Sequence, residues 1–366
     1  MAKLNRPSSR LSVGINKTHE NMTGQPIYEP YFELLTIGGK DMSLRDATRE
    51  DLPAILDLHQ QVFTSGVDAT WFNWKYGPGK FEGVGIWHEG RLIAFCGGIP
   101  RTFLHDGVPQ RDLQIGDVMV AADWRVSQIR HGPYFYVTRG MYESRLGKSK
   151  RFHTGFGFPN ARVSRLGIKA GLGWSMGKMM VLSWDCTTPD PKKPLNGISK
   201  WFWSVSRLAA GTSQFEQAID CAWGKMREAS SGLLVGDRHA SYMYRRFAAR
   251  PGHEAVFLRL GRPWHHRASG VAVLSASPAG LHWLDWVGEP GLMKQACEMC
   301  KEYATRQGFA GLTAWASAAV LEQLDSTGIT TMAEGATITL PNASAISKDE
   351  SEKLKWWFMG GDTDFL

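Results

Sequence analysis

The chain has 366 residues, 43% of them hydrophobic and 21% charged, a balance that excludes a mainly disordered or collagen-like protein and is large enough for two domains. Forty-two Lys and Arg against 35 Asp and Glu leave a net charge of +7, which favours an anionic partner; nucleic acid, acidic lipid and a phosphorylated cofactor all stay open. Five cysteines are too few for a disulfide framework and fit a reducing compartment. With no apolar run of about 18 residues and no leading apolar segment, a cytoplasmic protein without a membrane span is expected.

Residues 1–42 are polar and rich in turn formers and are expected to form a flexible arm. From Ser43 a short strand leads to Thr48-Arg49-Glu50-Asp51, which caps an amphipathic helix through Leu52, Ile55, Leu56, Leu58 and Val62. Trp71-Phe72-Asn73-Trp74-Lys75-Tyr76 precedes a Gly-Pro-Gly turn, and residues 84–87 and 92–96 form a hairpin. A strand over 113–120 feeds a polar loop, then Pro133 at the first turn of a helix reaching about Leu146. Residues 152–158 predict a strand, 161–170 a helix closed by Gly171-Leu172-Gly173, and 179–184 a further strand, so β and α alternate.

Segment 186–200 has linker composition, and a Trp-rich helix is predicted at 200–210, packing between domains. Residues 240–247 repeat the aromatic–basic alternation of residues 69–76. Each stretch precedes a turn and two strands, here 254–260 and 269–275. A strand (281–286), a helix (290–307) and a strand (310–316) follow, which suggests a degenerate duplication.

Several motifs fall away on context. Gly173-Trp174-Ser175-Met176-Gly177 matches G-x-S-x-G, but the order here is helix then strand, the reverse of a nucleophile elbow. Gly147-Lys148-Ser149 lacks the first glycine of a P-loop, since Tyr142 stands there. Cys297-Glu298-Met299-Cys300 has no second ligand pair, and no metal site is expected. The informative stretch is 113–174. There a strand opens through Arg125-Val126-Ser127-Gln128-Ile129-Arg130-His131-Gly132 onto a helix N-terminus, where backbone N–H groups and two arginines can cradle a pyrophosphate.

With the next strand, Asn160 and its helix, this stretch resembles the acyl-CoA-dependent N-acyltransferases of the GNAT superfamily. Residues 44–55 are similar to its first strand and helix, Asp117–Val120 with Asp123-Trp124-Arg125 to its central strand and cofactor loop, and residues 156–174 to its following strand, Asn-capped helix and glycine turn. Trp74-Lys75-Tyr76, Gly157-Phe158-Pro159-Asn160 and Gly361-Asp362-Thr363-Asp364 resemble a branch linked to surface polysaccharide and amino-sugar modification. The resemblance covers 44–184 well and 226–340 weakly.

It implies an α/β (α+β) fold of two GNAT-like units in tandem, a mixed sheet flanked by helices. Residues 43–185 would hold the acyl-CoA site, 186–225 the linker and Trp-rich helix, 226–345 a degenerate second unit, and 346–366 a tail. It further implies acetyl-CoA or another acyl-CoA as co-substrate and acyl transfer to a primary amine. An amino sugar or polysaccharide precursor is the first acceptor expected, a small amine or amino acid the second, protein lysine the third. The backbone of Val118, Met119 and Val120 would pair with pantetheine, residues 125–132 would hold the pyrophosphate, and Asn160 would face the pantetheine arm. An amine of pKa near 10 must lose a proton before attack; Asp117 is the first candidate base and His153 the second.

Two departures matter. Gln128 and Arg130 stand where the family's phosphate loop has glycines, and Gly167 stands where many relatives place a tyrosine general acid. Tyr134 or Tyr136 could supply that proton. The alternative is a GNAT-like module that binds acyl-CoA or a protein partner without turnover. The second unit could shape the acceptor pocket or a homodimer face. A nucleic-acid binder rests on charge alone, with no aromatic RNP strand or basic recognition helix behind it.

Overall fold

The computed structural model describes residues 19–20, 26–27, 29–63, 66–77, 81–125, 131–187, 203–262, 267–278 and 280–363. The first half runs β1 (Phe32–Ile37), β2 (Lys40–Asp46), α1 (Leu52–Phe63), α2 (Ala69–Tyr76), β3 (Glu82–His88), β4 (Arg91–His105), β5 (Val108–Val120), α3 (Pro133–Arg145), β6 (Gly155–Gly157), α4 (Ala161–Lys169) and β7 (Gly173–Asp185). The second runs β8 (Ser204–Leu208), α5 (Ser213–Ala229), β9 (Leu233–Gly236), a short helix (Ala240–Met243) continued by a π-turn (Tyr244–Ala248), β10 (Ala255–Gly261), β11 (Ala268–Ser277), β12 (Gly280–Gly288), α6 (Met293–Arg306), β13 (Gly311–Ala316), β14 (Thr331–Pro341) and β15 (Lys355–Trp357).

All of these strands belong to one twisted mixed sheet, whose main path is β8-β10-β11-β12-β13-β7-β14-β6-β5-β4-β3-β2-β1. Two parallel contacts repeat: Leu113–Ile115 of β5 beside Gly155–Gly157 of β6, and Leu281–Trp283 of β12 beside Leu312–Ala314 of β13. The long strand β7 joins the halves, pairing with β13 on one side and β14 on the other. The strand that completes the first unit, β14, comes from beyond residue 330 and lies between β6 and β7.

Helices cover both faces because their apolar stripes match the sheet. Ile55 and Leu58 of α1 and Phe72 of α2 pack on Phe81, Phe95 and Met119, whereas Val137 and Met141 of α3 pack on Leu44, Val84, Ile86 and Ile115. In the second half Phe215, Ile219 and Met226 of α5 and Met293, Ala296 and Cys300 of α6 close a larger core. Phe103, Phe156, Phe158, Ile338, Trp356 and Phe358 form a further core cluster, each ring contributing roughly 2–3 kcal/mol by its burial.

Three stretches differ from expectation. Residues 32–42, expected in a flexible arm, form β1 and the start of β2, which pair from Phe32–Arg45 to Ile37–Lys40. Ser204–Leu208 is an extended strand, not a helix: it pairs with β10 at the end of the sheet, and Val205 is exposed while Leu208 is buried. The helix lies beyond it. Thr212 caps α5 by accepting from Phe215 N–H. Trp201, with the rest of 188–202, lies outside the described residues. Residues 346–363 of the expected tail are folded in: Ser347 opens a capped helical turn, β15 pairs parallel to β9, and Asp362 is 1% exposed; residues 364–366 lie outside the described residues.

Candidate functional site

Past Ile115 and Gly157 the parallel pair β5–β6 has no further register partners, and the two strands part. A cavity of about 230 Å³ opens there, walled by Gly116, Asp117 and Val118 of β5, Gly157–Asn160, Tyr134 and Thr138 of α3, and Gly167 of α4. A bulge makes its β5 wall. Phe95 of β4 opposes Met119 and Gly97 opposes Gly116, so Asp117 and Val118 have no partner on β4. Asp117 sits at φ 47° in the left-handed region, a strained position for a residue with a side chain.

What holds Asp117 there is the end of α2. Lys75 Nζ donates to its Oδ1 at 2.7 Å and Tyr76 OH to its Oδ2 at 2.6 Å, with both ionic side chains buried. A buried lysine needs such a partner, so the aromatic–basic motif and the bulge stabilise each other. The approach is close: a Cβ at Gly97 would collide with the Tyr76 hydroxyl.

Tyr134 and Gly167 meet across the cavity. The tyrosine hydroxyl lies 3.1 Å from where a Cβ on Gly167 would be, so α3 delivers a phenol to the α4 position that carries no side chain. Burial, with a small contribution from Cys96, pushes the Tyr134 pKa up to about 12 and keeps the phenol protonated. Thr138 also lines the cavity, and its buried Oγ1 has no hydrogen-bond partner among the described residues. A buried hydroxyl without a partner fits a ligand that brings one.

The other expected positions divide. Val118 lines the cavity, but Met119 is 1% exposed and points into the core beneath α1, as strand alternation requires. The Val120 carbonyl accepts from Arg125 Nε at 2.8 Å. Arg125 is exposed, His131 stacks on Phe135, and Gly132 is the N-cap of α3 without a side-chain cap. Val126, Ser127, Gln128, Ile129 and Arg130 lie outside the described residues. Asn160 borders the cavity, yet its Oδ1 is taken up capping α4, accepting from Arg162 and Val163 N–H. His153, the second candidate base, does not line the cavity: its ring bonds Thr154 Oγ1 and packs on His105, and burial lowers its pKa. Among the described residues no group of three or more His, Cys, Asp and Glu could hold a metal.

Sequence reasoning noticed Trp74-Lys75-Tyr76 but not its role. The ion pair to Asp117 spans 42 positions, and only a signal linking a basic residue to the bulge acid could have found it.

Three solved structures share this architecture. A protein from Enterococcus faecalis V583, described as a probable N-acyltransferase, has a TM-score of 0.62 at 10% identity, over 83% of this chain and 73% of its own. A GCN5-related N-acetyltransferase from Kribbella flavida gives 0.58 at 14% identity, over 82% and 70%. N-myristoyltransferase from Saccharomyces cerevisiae, with bound myristoyl-CoA, gives 0.53 at 11% identity, over 93% of both chains. No protein-family model and no curated protein sequence matches the chain. The fold is therefore a GNAT-like acyltransferase fold, with two such units in tandem, as the sequence led us to expect. No helix among the described residues is long and apolar enough to cross a membrane.

Proposed function

We propose that the protein transfers an acyl group from an acyl-CoA to a primary amine at the cavity between β5 and β6. The observation that carries this reading is the bulge at Asp117–Val118 beside the parting strands. It leaves main-chain groups unladdered at the edge of a cavity that also holds an orphaned threonine hydroxyl. Those features suit a thin ligand with alternating amide and apolar parts, which the pantetheine arm of an acyl-CoA supplies together with an activated thioester.

In this reading the main chain at 116–118 polarises the thioester carbonyl, and Thr138 bonds a pantetheine amide. The helix N-terminus at Gly132, with Arg125, faces the pyrophosphate. Asp117 takes the proton that the ammonium must lose. An ionised carboxylate has about four acceptor sites, and Lys75 and Tyr76 use two, so water can relay that proton. The amine nitrogen then attacks the carbonyl carbon, the carbon–sulfur bond breaks, Tyr134 protonates the leaving thiolate, and the second proton shed by the nitrogen as it becomes an amide returns through water to the tyrosine.

The test is thermal unfolding with CoA, acetyl-CoA and longer acyl-CoAs, followed by release of free CoA with amine acceptors. A ligand at about 100 times its Kd stabilises by about 2.7 kcal/mol. Absence of any shift defeats the reading. A shift with no CoA release from any acyl-CoA and any amine supports the non-catalytic module instead. An amino sugar or polysaccharide precursor is the first acceptor class to screen.

A further inference from the structure

A second cavity, of about 130 Å³, lies on the other side of the Lys75–Asp117 pair. Its walls are the two repeated segments, facing each other: Trp74, Lys75 and Tyr76 at the end of α2, and Tyr242, Arg245 and Arg246 from the matching helix and π-turn. They touch directly, since Trp74 Nε1 donates to the Arg245 carbonyl at 2.8 Å. Asp117 borders the acyl cavity while both of its donors border this one. The two cavities thus share one wall, where an acceptor amine and an acyl carbon could meet.

The second cavity is strongly cationic. Lys75, Arg101, Arg245 and Arg246 line it, and no Asp or Glu does. Asp117 sits behind the wall, neutralised by Lys75, and Asp362 sits beneath the floor, held by Arg101 and Arg238. Arg101 is locked by Gln114 Oε1 at 2.7 Å and Asp362 Oδ1 at 2.9 Å; Arg246 is tied to the Gly361 and Thr363 carbonyls. Arg245 differs. It is exposed at the mouth, and no carboxylate among the described residues lies within ion-pair distance of it. Behind Trp74, Arg250 is pushed down to about 10, by burial and then by Arg246.

A bare ammonium would be repelled by this field, whereas a molecule that also carries an oxyanion would be drawn in. A guanidinium presents its donors as a planar fork that matches carboxylate and phosphate oxygens alike. Building on the acyl-transfer reading, we infer that the acceptor is an anionic amine, whose carboxylate or phosphate is gripped by Arg245 at the mouth of this cavity while its amino group reaches the wall at Asp117.

Twin ligands that differ only in the anion test this. The full-length chain, saturated with CoA, is titrated calorimetrically with tyrosine and tyramine, histidine and histamine, lysine and cadaverine, and glucosamine 6-phosphate and glucosamine. The anionic twin of at least one pair is expected to bind at least about tenfold tighter than its partner. The winning pair separates carboxylate from phosphate. Arg245→Gln should erase that preference, Arg245→Lys should restore part of it, and CoA affinity should stay unchanged in both. The inference is overturned if no anionic twin binds, if every pair binds alike, or if Arg245→Gln leaves the preference intact. CoA titrated alone is a separate arm: its failure defeats the acyl-transfer reading, while a twin preference that survives without CoA still marks the anion site.

Discussion

The two halves carry the same central device with different contents. In the first, β5 bulges at Asp117, the acid borders a cavity, and Lys75 holds it at 2.7 Å. In the second, β12 bulges against Val273 and Leu274, and the acid, Asp285, is held by Arg238 at 3.1 Å with both side chains buried. Val118 follows the first acid and lines open space; Trp286 follows the second, and its indole occupies the room that side chains at Gly270 and Gly288 would need. The connections diverge too. In sequence, residues 121–132 before α3 include Arg125, Arg130 and His131, while residues 289–292 before α6, Glu-Pro-Gly-Leu, include no cation. Strand order and bulge therefore recur in both halves, while the side chain after the acid and the loop before the next helix differ.

The sharpest way to break the comparison is to copy the second half into the first. Val118→Trp should fill the cavity and abolish all CoA-dependent stabilisation while circular dichroism stays native. A wild-type thermal shift in that variant would mean that the ligand does not use the parting strands. The reciprocal change, Trp286→Val, should leave a void costing about 3–4 kcal/mol in urea unfolding. It should gain no CoA binding, because the second half lacks a basic loop.

The halves are also tied together, and that tie gives an effect of similar size. Asp362 bonds Arg101 from β4 and Arg238 beside β9, and Arg238 also bonds Asp285. Burial pushes Asp362 up, but Arg238 and Arg101 outweigh it and hold its carboxyl below the usual range. Asp362→Ala would strand both guanidiniums and should cost about 3–5 kcal/mol in urea unfolding. The pH sign follows from the lowered value. The contribution is fully present above the unfolded pKa of about 4 and is lost as pH falls through the folded one. The melting-temperature gap between wild type and Asp362→Asn should therefore narrow on acidification below pH 4; a gap that widens there would contradict the assignment.

This tie explains what the sequence conceals. The β3–β4 hairpin, the capped α1, α3 after Pro133 and the Asn160 cap of α4 are all written locally, in turn residues, caps and apolar period, and they were legible. Residues 331–341 and 355–357 become strands through partners 148 or more positions away in β7 and 120 or more away in β9. Nothing local marks Asp362 as the carboxylate that joins two buried arginines. Trp203 beside a short Ser-Val-Ser-Arg-Leu run reads as a helix until β10 supplies its ladder. At the site the same rule holds: Asp117 and Tyr134 were legible as chemistry, but the Lys75–Asp117 pair and the meeting of Tyr134 with Gly167 exist only once distant elements pack.

The smallest expected effect concerns that last meeting. If the first half alone retains chemistry, a proton donor near the departing sulfur would assist its release, and Gly167 leaves α4 without one. Tyr134 reaches the same place from α3 and stays protonated across the working pH range, because burial has raised its pKa to about 12. A thiolate is a far better leaving group than an alkoxide or amide nitrogen, so protonation assists its departure only modestly. Tyr134→Phe should accordingly lower kcat by about tenfold, about 1.4 kcal/mol. The ring packing is kept, so the affinity for acyl-CoA should hold. Adding Gly167→Tyr to the Tyr134→Phe variant would place a phenol on α4 instead, and partial recovery of kcat would show that the position of the hydroxyl, rather than the helix that carries it, is what matters. Equal loss of kcat and of CoA affinity in Tyr134→Phe would instead make the hydroxyl a binding group and leave the thiolate to depart unassisted.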